Sequence, residues 1–247
     1  MKIVSDQWAK YGKGPNWSNG PLIGMDTETT NAEPLSARFV TSAIMLDVPG
    51  KEQQCWEWLS KPGWEMVEIG ATAVHGISDE YANINGQEPD IVIREMYSVL
   101  SALQHQYNAP LVLTCSPFDL TILHNESQRL GLGKLEDNIN LPPILDTLTL
   151  DRMLDMYRIG RRTLTSVAAN YGIVFRYGAH QAKGDIDVTI RLARAIAKKY
   201  PKLATCNLHN LQRLQRQFHI EWLEQYTNYR RIESPDFYVT GDWPYIR

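Results

Sequence analysis

A mixed α/β sheet flanked by helices is the fold class this sequence predicts, on the strength of three observations. Three strand-like runs follow one another early, at Leu22 to Glu28, Ala37 to Val48 and Gln53 to Leu59. Two shorter apolar runs, Leu111 to Thr114 and Ile144 to Asp146, come later, set between stretches with helical spacing. Strands that begin as a meander and then alternate with helices call for a sheet of mixed direction. The length, 247 residues at 43% hydrophobic composition, is enough to bury a full core in one large domain or a domain with an appendage.

Residues 1 to 20, rich in Gly, Asn, Lys and Trp, show no periodicity and read as an irregular leader. The second and third strand runs are separated by Pro49-Gly50, a turn signal that makes an antiparallel meander the natural connection. Ser78, followed by acids, reads as a helix start. Pro89 to Tyr107 carries Ile93, Met96, Tyr97, Leu100 and Leu103 in a 3.6-residue stripe and is a helix. A second helix runs from Pro117 to Gly131, with proline at its start and glycine at its end. Further helices are expected from the strand at 144–146 through Met156, from Leu164 to Tyr171, and from Gly184 to Tyr200. A last one, Leu208 to Tyr229, has apolar positions at Leu211, Leu214, Phe218 and Trp222. The two later strands need helical crossovers, so they should run parallel to each other or to the first.

No run approaches the ~18 apolar residues that span a bilayer, and the N-terminal segment lacks a signal peptide's apolar stretch, so no membrane partner and a cytosolic setting are expected. Cys55, Cys115 and Cys206 show no CxxC spacing and read as reduced thiols. The net charge of −3 conceals an asymmetry: residues 158 to 216 hold 12 Lys or Arg against two acids, and the rest of the chain holds 13 basic and 26 acidic residues. Two readings stand side by side: a footprint for phosphates, or a pair of helices with solvated cationic faces.

The stretch GMDTETT, residues 24 to 30, places Asp26 and Glu28 two apart in an apolar strand, so both carboxylates share one face of the sheet. Such a pair marks either a strand facing solvent or a cation site. Asp119, in SPFDL, lies where a strand ends and a helix begins, the place at which side chains gather at the mouth of an α/β sheet. Asp185 lies near the start of the long helix, five residues after His180. Taken singly, Asp119 is a first-turn acid favoured by the helix dipole and Asp185 a surface residue. Four carboxylates converging on one place would repel each other unless cations were present. Two hard divalent ions, Mg²⁺ or Mn²⁺, would remove that repulsion and suit hydrolysis of a phosphodiester, with His180 able to take the proton from an attacking water.

Asp-Thr-Glu-Thr (26 to 29), Phe-Asp (118 to 119) and His180 with Asp185 five positions on resemble the three motifs of the DEDDh exonucleases, the superfamily of the proofreading epsilon subunit of bacterial replicative polymerase. The resemblance covers roughly residues 22 to 200. It implies a ribonuclease H-like fold with a five-stranded mixed sheet, and 3′-to-5′ hydrolysis releasing nucleoside 5′-monophosphates. It also implies Asp26, Glu28, Asp119 and Asp185 as ligands of two divalent cations and His180 as general base. Expected partners are single-stranded or recessed 3′ ends of DNA; RNA is the nearest rival substrate, and a noncatalytic nucleic-acid-binding subunit the rival of a different class. VHGIS (74 to 78) is similar to the element before the helix that lines the family's nucleotide pocket, and DTL (146 to 148) to a structural strand end. FHIEWLEQY (218 to 226) and GDWP (241 to 244) resemble an extension in exonuclease-domain proteins of actinobacteria and their phages. Two departures stand out: Cys115 where the family commonly has Asn, and Asn31 in place of a motif-one glycine, where Asn would tolerate a positive φ.

The expected organisation is an irregular leader (1–21), an exonuclease domain (22–200) and a C-terminal helical extension with a tail (201–247), the last a candidate for docking a polymerase or covering the site. Thr27, Thr29 and His75 are candidate substrate contacts, although a helix-entry histidine is as often structural. Arg161, Arg162 and Lys183 are candidates for phosphate contact, against the alternative of solvent-facing charge. Asp187 competes with Asp185 for the metal; the spacing from His180 favours Asp185 and leaves Asp187 a solvated helix-start acid. Trp56, Trp58 and Trp64 read as sheet-packing residues.

Overall fold

A computed structural model describes residues 12–63, 65–176, 181–239 and 241–246 of the chain. Strands β1 (Leu22–Thr29), β2 (Phe39–Asp47) and β3 (Gln54–Leu59) form the predicted antiparallel meander. Gly50, at φ +79°, makes the turn between β2 and β3 in a conformation that L side chains resist. Helices α1 (Ile69–His75), α2 (Asp79–Asn85) and α3 (Pro89–Tyr107) come next, before β4 (Leu111–Leu113). Then come α4 (Ser116–Arg129), α5 (Leu135–Asn138), β5 (Ile144–Asp146), α6 (Thr147–Leu154), α7 (Leu164–Asn170), α8 (Ala182–Lys199), α9 (Pro201–Ala204) and α10 (Leu208–Arg230). The sheet order is β3-β2-β1-β4-β5, with β4 parallel to both β1 and β5 as the crossover argument requires.

The period-two geometry of a strand sorts the core into two layers. Leu22, Ala43 and Met45 point to a face covered by Ile186, Ile190, Ala193 and Ile196 of α8 and by Leu211, Leu214 and Phe218 of α10. Ile23, Met25, Ile44 and Leu46 point to the opposite face, under Val92, Ile93, Met96 and Leu100 of α3 and Leu120 and Leu123 of α4. With both faces covered, the first half of β1 and most of β2 are apolar, and the polar residues gather in the second half of β1 and at Thr41 and Ser42 opposite it.

Gly24 lets α8 come close to β1: a Cβ there would sit 2.4 Å from Ile186 Cγ2 and 2.9 Å from Ile190 Cδ1. The outer edge of β5 is capped by α10. Gln212 Oε1 accepts from the Ile144 N–H at 2.8 Å, and Gln215 accepts from the Asp146 N–H and donates to the Ile144 carbonyl, each at 2.9 Å. These side chains supply the partners that a neighbouring strand would otherwise provide.

Several details go beyond these expectations. The described part of the leader is docked: Trp17 is buried and donates its indole N–H to the Leu203 carbonyl at 3.1 Å, and a 3₁₀ turn spans Trp17–Asn19. An aromatic anchored by a distant hydrogen bond needs no periodicity around it. Asn31 does not take a positive φ; its Oδ1 instead accepts from the Glu33 N–H at 2.8 Å, closing the turn from the side chain. Seven of the twelve cations of residues 158–216 pair with carboxylates. Arg158 and Arg162 hold the buried Asp151, Arg176 and Arg191 the buried Asp187, Arg194 pairs with Asp47, Lys183 with Glu57 and Arg216 with Asp242. A carboxylate removed from water needs such partners, so the arginines on Asp151 and Asp187 serve the fold, while Arg161, Lys198, Lys199, Lys202 and Arg213 keep much of the local charge excess at the surface.

Candidate active site

The acids gather at the carboxyl end of the parallel strands. Asp26 and Glu28 occupy the last half of β1, on the face that α8 covers, and Asp185 lies in the first turn of α8. One carboxylate oxygen from each of Asp26, Glu28 and Asp185 lies within 4.8 Å of the others. The close approach of Gly24 to Ile186, the residue after Asp185, and to Ile190 is what brings helix and strand near enough for this.

Asp119 comes from the opposite layer. It lies in the first turn of α4, 2% exposed, and its Oδ1 accepts from the Thr27 hydroxyl at 2.7 Å. Thr27 lies between Asp26 and Glu28, so its side chain points to the other face of the sheet and fixes Asp119 from beneath. α4 is launched by Cys115 at φ 64°, a left-handed conformation that suits Asn far better than Cys. This is the position where the sequence departs from the resembled motif, and the strained turn survives because Asp146 accepts from the Cys115 and Ser116 N–H groups at 3.2 and 2.9 Å.

The electrostatics of the cluster are those of unbalanced anions. Burial, and then the neighbouring Asp119, Asp185 and Glu28 carboxylates, hold the Asp26 carboxyl well above the usual range. Burial, then Asp185 and Asp119, push Glu28 up to about 7. Burial pushes Asp119 up to about 7 against the relief given by the Thr27 hydroxyl. A donor set made only of carboxylate oxygens, closely spaced and reluctant to ionise, fits one or more hard divalent cations: Asp26, Glu28 and Asp185 together, with Asp119 beside them. Asp187 lies elsewhere. It is fully buried, not solvated, and its Oδ2 accepts from Arg191 Nη2 at 2.6 Å. One position after Ile186, it faces away from the strand acids and is consumed as an ion-pair partner.

A cleft of 420 Å³ opens beside Glu28, lined by Ser42 and Trp58 of the sheet, His75, Ile77 and Tyr81, and Gln181 and Ala182 at the start of α8. His75 is on its wall, its Nδ1 accepting from the Ile77 N–H at 3.2 Å and its Nε2 lying 3.3 Å from the Thr29 carbonyl, which assigns the ring proton to Nε2. The Thr29 hydroxyl donates to the Asn31 carbonyl at 2.7 Å. Lys183 stands 3.7 Å from Glu57 at the cleft's edge. Arg162 is turned inward onto Asp151 and the Met156 carbonyl, whereas Arg161 is exposed. His180 and Trp64 lie outside the described residues. Sequence reasoning gave Asp146 only as a strand end; its position just before Thr147-Leu148-Thr149, as an N-cap, was the available signal. Tyr81 and Glu57 carried no signal at all.

No family model matches the chain, and no curated protein matches it either. Solved structures do. The chain is similar to a moderately thermophilic exonuclease I from Methylocaldum szegediense, with a TM-score of 0.59 and 20% identity over 75% of this chain and 42% of that one. It is also similar to E. coli exonuclease I in complex with a dT13 oligonucleotide, with a TM-score of 0.57 and 17% identity over 87% of this chain and 46% of the other. The chain thus spans less than half the length of these proteins. What the likeness establishes is the fold: a five-stranded mixed sheet flanked by helices, the ribonuclease H-like arrangement of exonuclease I.

Proposed function

We propose that this chain is a divalent-metal-dependent 3′-to-5′ exonuclease that shortens DNA from 3′ ends and releases nucleoside 5′-monophosphates. The observation that carries the reading is the approach of Asp26, Glu28 and Asp185 to within 4.8 Å, with the hydroxyl-anchored Asp119 beside them, at the carboxyl end of an exonuclease I-like sheet. Solved exonuclease I structures that resemble this chain hold dT13 and dA16 oligonucleotides, which supports single-stranded DNA as the substrate.

Asp26, Glu28, Asp119 and Asp185 would hold two cations, Mg²⁺ or Mn²⁺, which supply charge neutralisation at the phosphate and a more acidic bound water. The chain's own groups do the rest. Thr27 fixes one Asp119 carboxylate oxygen from the opposite face of the sheet. The cleft beside Glu28 has the volume for a terminal nucleotide, with His75, Trp58 and Tyr81 as its ring-bearing walls and Lys183 at its edge to meet a phosphate. His180, by its resemblance to the family motif, takes the proton from the attacking water.

The reading is tested by offering a 5′-labelled single strand, a duplex with a recessed 3′ end, and RNA of the same sequence to wild type and to Asp26→Ala and His180→Ala. Stepwise shortening from the 3′ end is expected for the wild type on DNA, none for Asp26→Ala, and a rate lower by about 10²–10⁴ for His180→Ala with binding retained. Failure of the wild type to shorten any strand would leave a binding module of the same fold.

A further inference from the structure

Asp146 is fully buried, holds no place among the clustered acids, and yet is among the most heavily bonded side chains of the site region. Its Oδ1 accepts from the N–H groups of Cys115, Leu148 and Thr149 at 3.2, 3.0 and 3.1 Å. Its Oδ2 accepts from the Ser116 N–H at 2.9 Å, the Ser116 hydroxyl at 3.0 Å and the Trp243 indole N–H at 3.3 Å. One carboxylate therefore caps α6 and pins the first turn of α4, the turn that carries Asp119.

The last described residues close over the same helix. Trp243 is 1% exposed in the core layer beneath α4. The Ile246 N–H donates to the Thr121 hydroxyl at 2.9 Å, and the Tyr245 ring lies 5.1 Å from His124, both partners on α4. The Tyr245 hydroxyl donates to Glu136 at 2.7 Å. A C-terminal strap thus touches α4 at Thr121 and His124 and meets, through Trp243, the carboxylate that fixes the helix start.

We propose that Asp146 and Trp243 are positioning residues for Asp119: the C-terminal strap and the buried carboxylate together set where the α4 acid stands relative to Asp26, Glu28 and Asp185. The physical reason is that a left-handed non-glycine start at Cys115 is unfavourable by itself and holds only while its N–H and that of Ser116 are captured. Relaxing that turn would rotate the first turn of α4, and Asp119 with it, while leaving the rest of the helix seated. Groups that orient a ligand-bearing side chain commonly change metal affinity or rate by about 10–100-fold when removed. The inference rests on the metal-site reading above.

The test compares wild type, Trp243→Phe and Asp146→Asn. Trp243→Phe keeps an aromatic ring in the core but removes the N–H along with part of the indole, so the lost packing is read separately from its melting temperature. Mn²⁺ binding is measured by titration calorimetry, and kcat and KM on a single-stranded oligonucleotide at saturating Mn²⁺, well below each variant's melting temperature. The expected result is Mn²⁺ affinity lower by about 3- to 10-fold in Trp243→Phe and about 10- to 100-fold in Asp146→Asn, with kcat reduced and KM unchanged. A role confined to packing would lower the melting temperature and leave Mn²⁺ affinity and kcat of the folded protein within twofold of wild type; that result overturns the proposal. If Asp146→Asn does not fold, Trp243→Phe decides alone. A wild type that neither binds Mn²⁺ nor shortens DNA would overturn the exonuclease reading itself, a result distinct from an active wild type with unaffected variants.

Discussion

At the scale of single residues, the site is a set of acids that the fold holds against their own preference. Glu28 is raised from an ordinary 4.5 to about 7 and Asp119 from 3.8 to about 7, both first by burial. Each binds its proton more tightly folded than unfolded, so the metal-free protein takes up protons on folding and loses stability as pH rises from about 4 through 7. In EDTA, Glu28→Gln should therefore melt above wild type at pH 8, with the gap closing toward pH 4, as calorimetry at several pH values would show. Mg²⁺ should raise the wild type at pH 8 and not the variant by as much; equal shifts would mean that the cluster does not hold the ion. Thr27→Val removes the hydroxyl on Asp119 without changing side-chain volume. It should cost about 1–2 kcal/mol in urea unfolding and about tenfold in Mn²⁺ affinity. Asp185 and Asp187 make a matched pair: Asp185→Asn should abolish shortening with little loss of stability. Asp187→Asn should cost about 3–5 kcal/mol by leaving Arg191 without its buried partner, and leave metal affinity intact.

At the scale of elements, the site depends on how closely α8 lies on β1. The added methyl of Gly24→Ala would meet Ile186 Cγ2 at 2.4 Å, so helix and strand must separate. Overpacking of this kind costs about 1–3 kcal/mol. Since Asp185 rides on α8, the rate of strand shortening should fall by more than the stability loss explains, and Ile186→Ala in the same chain should restore much of it. The elements best read from sequence were those with a local reason to exist: α3 runs Pro89–Tyr107 as predicted, because its apolar stripe and N-terminal proline fix both face and start. The helix α1 was missed because it buries none of its residues and so has no stripe; it is held by the Glu68 N–H on the Thr30 carbonyl and the Thr72 hydroxyl on the Ile77 carbonyl. Asp26 and Glu28 were legible as a pair because a strand's period of two is local, and Asp119 and Asp185 because they lie where a strand or loop gives way to a helix.

At the scale of the whole molecule, the segment after residue 200 is woven into the sheet rather than hung upon it. Gln212 and Gln215 complete the edge of β5, and Leu211, Leu214, Phe218, Trp243 and Tyr245 belong to the two core layers. Gln215→Leu should strand the Asp146 N–H and the Ile144 carbonyl and cost on the order of 2–4 kcal/mol, read as a drop in the urea midpoint. None of this long-range bonding was legible in the sequence: the Trp243 indole and Asp146 are 97 positions apart, and nothing local in either residue names the other. The same holds for the internal ion pairs, which the charge count registered only as an excess. What ties these scales together is the claim that the carboxylates form the metal centre of a 3′-to-5′ exonuclease. The most direct measurement is the time course of a 5′-labelled single-stranded DNA with wild type and Asp185→Asn, each in Mn²⁺ and in EDTA. The account predicts a ladder descending one nucleotide at a time for the wild type in Mn²⁺ and an intact strand in the other three conditions. Shortening by the wild type in EDTA, or undiminished shortening by Asp185→Asn, would contradict it.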